Sequence, residues 1–165
     1  FSGSNGNAWI DDVIINDNQG SSMTGYVGDS RINVLRVNGA GTDSGWTGGD
    51  TDIDDTLGAA DDDSTYISAT SASTKEGFAM ENLAVNPTSI HALVARVLAR
   101  KSDAGPKTMR AYCEVSGSEA AGTTRALQTD YVWHRMGIFY TNPNTTAAWT
   151  QAGVNAAELG VEVIS

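Results

Sequence analysis

The sequence predicts a mainly β protein: an antiparallel β-sandwich of jelly-roll type, with a long acidic loop and one short helix near the C-terminus. Three observations point there. Gly, Ser and Thr account for 50 of the 165 residues, a composition that favours short strands and frequent turns over long helices. Hydrophobic residues make up 40%, which is enough for one packed core and too much for a chain without one. Apolar and polar residues alternate in several short stretches, the period of a half-buried strand. The length suits a single domain spanning 1–165.

Taken in order, Ala8–Asn16 reads as the first strand, with Trp9, Val13 and Ile15 on one face and Ile10 and Ile14 on the other. Arg31–Val37 reads as the second; its apolar parity switches between Val34 and Leu35, as at a bulge or in a strand covered on both faces. Asn38–Ser64 holds six Gly and eight Asp and is expected to be a long loop, with Trp46 and Leu57 as anchors. Short strands are expected at Ser64–Thr70 and Gly77–Leu83. In Thr88–Arg100 the residues Ile90, Leu93, Val94, Val97 and Leu98 match the spacing of an amphipathic helix. Its neighbours argue for a strand instead. Ser102–Gly105 is a turn, and Thr108–Val115 then alternates, Met109, Ala111, Cys113 and Val115 inward and Arg110, Tyr112 and Glu114 outward. A hairpin of two strands is therefore predicted.

Arg125–Leu127 and Tyr131–Tyr140 follow; the aromatics Tyr131, Trp133, Phe139 and Tyr140 are those of a buried strand. Thr150 is a good N-cap, Trp149 and Val154 occupy staple positions and Gly160 suits the residue after the helix. That frames a helix of about two to three turns, with Val161–Ile164 as the last strand.

The net charge of −10 lies entirely in the first 65 residues, which hold twelve Asp and two Arg; the remainder balances eight acids with eight bases. Acidity disfavours nucleic acid, whose phosphates need a basic surface. No run of about 18 apolar residues is present to form a membrane-spanning helix. Cys113 is the only cysteine, so no internal disulfide forms. Phe1-Ser2-Gly3-Ser4 has no initiator Met and neither the basic start nor the apolar stretch of a signal peptide. It reads as a cut end, which leaves room for an upstream domain.

The acidic loop is the strongest chemical signal. Asp50, Asp52 and Asp54 recur at alternate positions and Asp61 falls twelfth from Asp50, a carboxylate set able to converge on Ca²⁺. The EF-hand pattern fails, because its sixth position requires Gly and finds Asp55. A solvated anionic loop is the simpler reading. Trp46 either stacks on a sugar or a neighbouring subunit, or pins the loop to its own core. Catalytic patterns are poorly represented. Asp11 and Asp12 are adjacent and point to opposite faces of a strand, there is no G-x-S-x-G elbow or P-loop, and His91 and His134 lack ligand spacing. Both histidines are expected to be structural, and Cys113 a small core residue. No enzymatic activity is expected.

Several stretches occur together in a telling order: Gly28-Asp29-Ser30-Arg31-Ile32, Trp46-Thr47, the run from Asp61 to Ile67, Arg100–Gly105, and the ending from Asn142 to Val163. In this order they resemble virion structural proteins of tailed bacteriophages. The opening W-I-D-D-V-I-I is similar to the closing strand of laminin-G-like jelly rolls, which often precede such segments, so residues 1–16 are read as the last strand of an upstream jelly roll. The resemblance implies a β-sandwich on the particle exterior: a capsid decoration (cement) protein, head fibre or tail-associated protein. Its implied partners are the major capsid protein or other virion proteins and further copies of itself, a trimer among the options, with neither nucleic acid nor membrane. A tail-fibre or adhesin-type module binding host glycans, with Ca²⁺ held by the acidic loop, is the alternative.

Overall fold

The computed structural model describes residues 30–56 and 59–165. The expectations for Ala8–Asn16, for the upstream jelly-roll strand and for Leu57 as an anchor lie outside the described residues. The chain divides into two compact units, 1–34 and 35–165. Of the first, residues 30–34 are described and form no strand. All the described strands and the helix belong to the second.

That unit is mainly β, with β1 (Val37–Ser44), β2 (Lys75–Met80), β3 (Leu93–Ala99), β4 (Thr108–Val115), β5 (Ser118–Ala121), β6 (Arg125–Ala126), β7 (Val132–Phe139), a short helix α1 (Gln151–Asn155) and β8 (Glu158–Val163). A six-stranded antiparallel sheet runs β1-β2-β8-β4-β5, with β6 also on β4; β3 and β7 form a separate antiparallel pair. Among the described residues no helix is long and apolar enough to cross a membrane.

The strand expected at Arg31–Val37 starts only at Val37. Just before it, Arg36 and Glu81 are joined by one backbone bond, the Glu81 amide donating to the Arg36 carbonyl at 2.8 Å, and by side-chain bonds. Glu81 Oε2 accepts from the Arg36 amide at 3.1 Å, and Glu81 Oε1 accepts from the Arg36 guanidinium at 2.7 Å. β1 instead occupies the beginning of the segment expected to be loop. Its Gly- and Asp-rich sequence has low strand propensity, but at a sheet edge small residues let one backbone lie close to the next. Two register shifts mark the irregular β1–β2 pairing. Ser64–Thr70 contributes a single bridge, Ser68 to Thr47, in place of the expected strand.

Thr88–Arg100 does form a strand, β3, but the hairpin with β4 does not exist. β3 pairs with β7 through all seven of its residues, Leu93 opposite Phe139 to Ala99 opposite Val132. β4 lies in the other sheet, between β8 on one edge and β5 and β6 on the other. The 101–107 linker carries the chain across. Lys101 is fixed there by its amide to the Gln128 carbonyl at 2.8 Å and its ammonium to the Gly105 carbonyl at 2.6 Å. The hairpin that does form joins β4 to β5. Ser116 and Gly117 turn it with φ of 52° and 80°, both positive as a two-residue hairpin loop of the primed type requires.

One hydrophobic core draws on both sheets: Phe78, Met109, Ala111, Cys113, Val115 and Val161 from the larger, Ala95, Met136 and Phe139 from the smaller, and Trp149 and Val154 at the helix. Met109, Ala111, Cys113 and Val115 point inward as their alternation predicts. Backbone bonds stitch the layers together, Gly122 donating to Ala111 of β4 at 2.7 Å and Thr123 to Met136 of β7 at 2.5 Å. Trp149 is buried with its indole N–H on the Phe139 carbonyl at 2.8 Å, which satisfies its polar end.

Thr150 caps α1 as predicted, its hydroxyl accepting from the Gly153 amide at 3.0 Å. The helix is shorter than expected and ends at Asn155, so Gly160 is no helix terminator. It lies inside β8 because the Tyr112 ring crosses directly above it; a Cβ there would overlap the Tyr112 Cζ and Oη.

Candidate functional site

Two faces point away from the core, and they are built differently. On the six-stranded sheet, the outward side chains of β4 meet those of β8, β2 and β1. Alternation predicts a solvent-facing Tyr112, yet it is 1% exposed. Its ring passes over Gly160 and Gly77, its hydroxyl donates to Asp43 Oδ2 at 2.7 Å, and the Lys75 ammonium sits 5.0 Å from the ring centroid. Around it the charges are matched: Lys75 with Glu119, Arg110 with Glu162 at 2.7 Å. Glu158 Oε2 accepts from the Thr42 amide at 2.8 Å and from its hydroxyl at 2.9 Å. Burial, then the bond to Asp43, raises the Tyr112 phenol above its ordinary range. The Glu119 bond raises the Lys75 ammonium.

The two-stranded sheet presents the opposite picture. Val94, Trp133 and Ile138 are 49%, 47% and 38% exposed, and Tyr140, just past β7, is 46% exposed. This corrects the expectation that the aromatic density of Tyr131–Tyr140 marks a buried strand. Only Phe139 among those aromatics is in the core; Trp133 occupies an alternate position on the face away from it. Neighbouring pairs across the strands are Leu98–Trp133, Arg96–Arg135 and Val94–Ile138. Two like charges therefore oppose each other directly, an arrangement that ordinarily destabilises a sheet. Neither strand contains an acid. Among the described residues neither Arg96 nor Arg135 has a carboxylate within salt-bridge distance; the four ion pairs involve Arg36, Lys75, Arg100 and Arg110. Arg96 stacks on Trp133, its Cζ 5.2 Å from the ring centroid.

At the Ala99/Val132 end of this sheet the acidic chain returns. Asp63 bonds Arg100 at 2.6 Å, and the Tyr131 hydroxyl reaches both the Asp62 carbonyl and Asp63 Oδ1 at 3.1 Å. Asp62 takes a positive φ of 55°, a conformation Asp tolerates better than most residues.

The aspartates read as calcium ligands are dispersed. Asp50 and Asp52 share a short 3₁₀ turn in which Asp52 Oδ2 accepts from the Gly49 amide at 2.9 Å. Asp61 Oδ1 accepts from the Thr65 amide and hydroxyl at 3.1 and 2.9 Å. Asp54 lies within electrostatic reach of Arg36. Among the described residues no three His, Cys, Asp or Glu side chains gather in a way that would hold a metal. Trp46 is half-buried against the core, its amide donating to Glu76 Oε2 at 2.9 Å and its indole to the Thr74 carbonyl at 3.3 Å. It pins the loop to its own domain.

His91 is exposed, in contrast to the structural place within an apolar segment that its neighbours suggest. His134 is buried, and its Nε2 has no hydrogen-bond partner among the described residues. Cys113 is fully buried, which pushes its thiol up to about 12; such a thiol is a poor nucleophile at neutral pH. The residues that sequence reasoning missed are Arg96, Arg135 and Trp133 acting together. Their signal was present as two acid-free strands in an acidic chain, but the cross-strand pairing that joins them was not.

A scan against protein-family models, a search of curated proteins and a search of solved structures each returned no match.

Proposed function

We propose that this chain is a non-enzymatic structural protein on the outside of a tailed-phage particle, acting as a capsid decoration protein that grips the major capsid protein and its own neighbours. The ordered motifs from Gly28 to Val163 and the mainly β architecture support the reading. The observation that carries it is the outward face of the β3–β7 sheet, where exposed apolar side chains surround arginines that have no acidic partner among the described residues. Such a face suits contact with another surface, and a decoration protein acts by added interface and mass action. Quantitative mass spectrometry of purified particles that encode the chain tests the proposal. A copy number that follows the capsid lattice supports it, and absence from the particle refutes it.

One observation favours a second reading, a glycan-binding fibre module. Trp133 and Tyr140 are exposed aromatics of the kind that stack on a sugar ring, although Arg96 already lies over the Trp133 ring. That version predicts few copies per particle and glycan binding that Trp133→Ala abolishes.

A further inference from the structure

We propose that the outward face of the β3–β7 sheet is a self-association surface, on which Arg96 and Arg135 of one copy receive Asp62 of a second copy across a two-fold axis. The inference stands whether or not the chain works on a phage particle. It begins with the opposed arginines. A directly facing like-charge pair costs the sheet stability, and no carboxylate among the described residues relieves it, in a chain with 20 acids and ten bases. A carboxylate placed between the two guanidiniums would remove the repulsion and gain charge-assisted hydrogen bonds.

The acid to supply that carboxylate lies on the same rim. Asp62 is exposed, and the turn that carries it is fastened to the sheet end by Asp63–Arg100 and by Tyr131. The arginine pair stands three residue positions from that end, about 10 Å along the strands at the usual rise. A basic patch beside an acidic one is self-complementary under two-fold rotation: each copy's turn meets the other's arginines, the reciprocity of an isologous interface. Trp133, Leu98, Val94 and Ile138 supply apolar contact on either side of the ionic centre.

The size of the face sets the strength. Seven paired residues make a strip about 23 Å long and two strands wide, well under the roughly 800 Å² per partner of a stable complex. The dimer is therefore weak and salt-sensitive, and it matters where copies are held at high local concentration.

Sedimentation velocity of the native chain across concentration and ionic strength tests this. The expected result is a reversible dimer whose dissociation constant rises about tenfold between about 0.05 M and 0.5 M NaCl, as screening of surface charges requires. Arg135→Glu and Asp62→Lys should each be monomeric alone, and an equimolar mixture of the two should dimerise, because each then offers the other an opposite charge at both contacts. Should Arg135→Glu not fold, Arg135→Gln carries the loss arm of the test and Arg96→Glu the mixing arm. Wild type that stays monomeric at low salt overturns the proposal, as does a dimer that survives either charge reversal or a mixture that remains monomeric. A monomeric wild type that binds an anionic glycan array through Trp133 overturns it too, and assigns the face to sugar.

Discussion

On the face of the six-stranded sheet that points away from the core, Arg110 meets Glu162, Lys75 meets Glu119, and the Tyr112 hydroxyl meets Asp43. On the corresponding face of the two-stranded sheet, Arg96 meets Arg135, and Trp133, Val94 and Ile138 stand in solvent. Both surfaces belong to one small unit and share one core. Their difference teaches that local charge matching is within this fold's reach, which makes the strip left unmatched among the described residues a feature to be explained. The closed face is internally paired, and the open face is the one proposed above for contact. Substitutions on the two should separate accordingly.

The largest effect is expected at Gly160. Replacing it with Ala drives a Cβ into the buried Tyr112 ring, and overpacking of this kind costs about 3 kcal/mol or prevents folding. Urea denaturation of G160A measures it, and a loss below about 1 kcal/mol would show that the closed face yields more readily than its packing implies. Alkali provides a second probe. Burial and Asp43 raise the Tyr112 phenol above its ordinary value of 10.0. The folded state thus holds this proton longer than the unfolded state, so the contribution to stability is complete below about pH 10 and declines as pH rises toward the folded value. Ultraviolet titration should find one tyrosine that ionises only as the protein unfolds, and Tyr112→Phe should remove that delayed step.

Smaller effects sharpen the contrast. Tyr112→Phe deletes the hydroxyl bond to Asp43 and should cost about 1 to 2 kcal/mol at neutral pH. Thr150→Ala, away from both faces, removes the cap on the Gly153 amide and should cost about 1 kcal/mol. Arg135→Glu goes the other way. It converts a repulsive cross-strand pair into an attractive one and should stabilise the monomer by about 0.5 kcal/mol. Thermal unfolding of this variant at low protein concentration checks the sign, and a clear destabilisation would mean the arginine pair already has a partner within the monomer.

The sequence carried some of this design openly. The alternation of Thr108–Val115 gave the inward set of β4 because one face of that strand is apolar throughout. The Thr150 cap was legible because capping depends on residues three positions apart. Elements defined by distant partners were not. β1 looks like loop, since its glycines and aspartate answer to Gly77, Tyr112 and Glu158, residues far along the chain. β3 and β4 looked like a hairpin because consecutive strands usually pair, yet both found better partners in β7 and β8. Tyr112 and Trp133 exchanged their expected surroundings for the same reason. Parity assigns a side chain to a face, but only the neighbouring strands decide whether that face is covered. The basic strip was hidden in the same way, because Arg96 and Arg135 become a pair only through register.

Tyr112 acts along a direction the strand ladders do not reinforce. Rooted on β4, it spans β8 and β2 and fastens to Asp43 on β1, like a tie-rod laid across four planks. The outermost plank is poor in strand-forming residues and would otherwise fray first. With the rod in place, peeling β1 away means breaking a long-range side-chain bond as well as its backbone pairing. That margin should slow amide exchange and bar foreign strands from adding at this border.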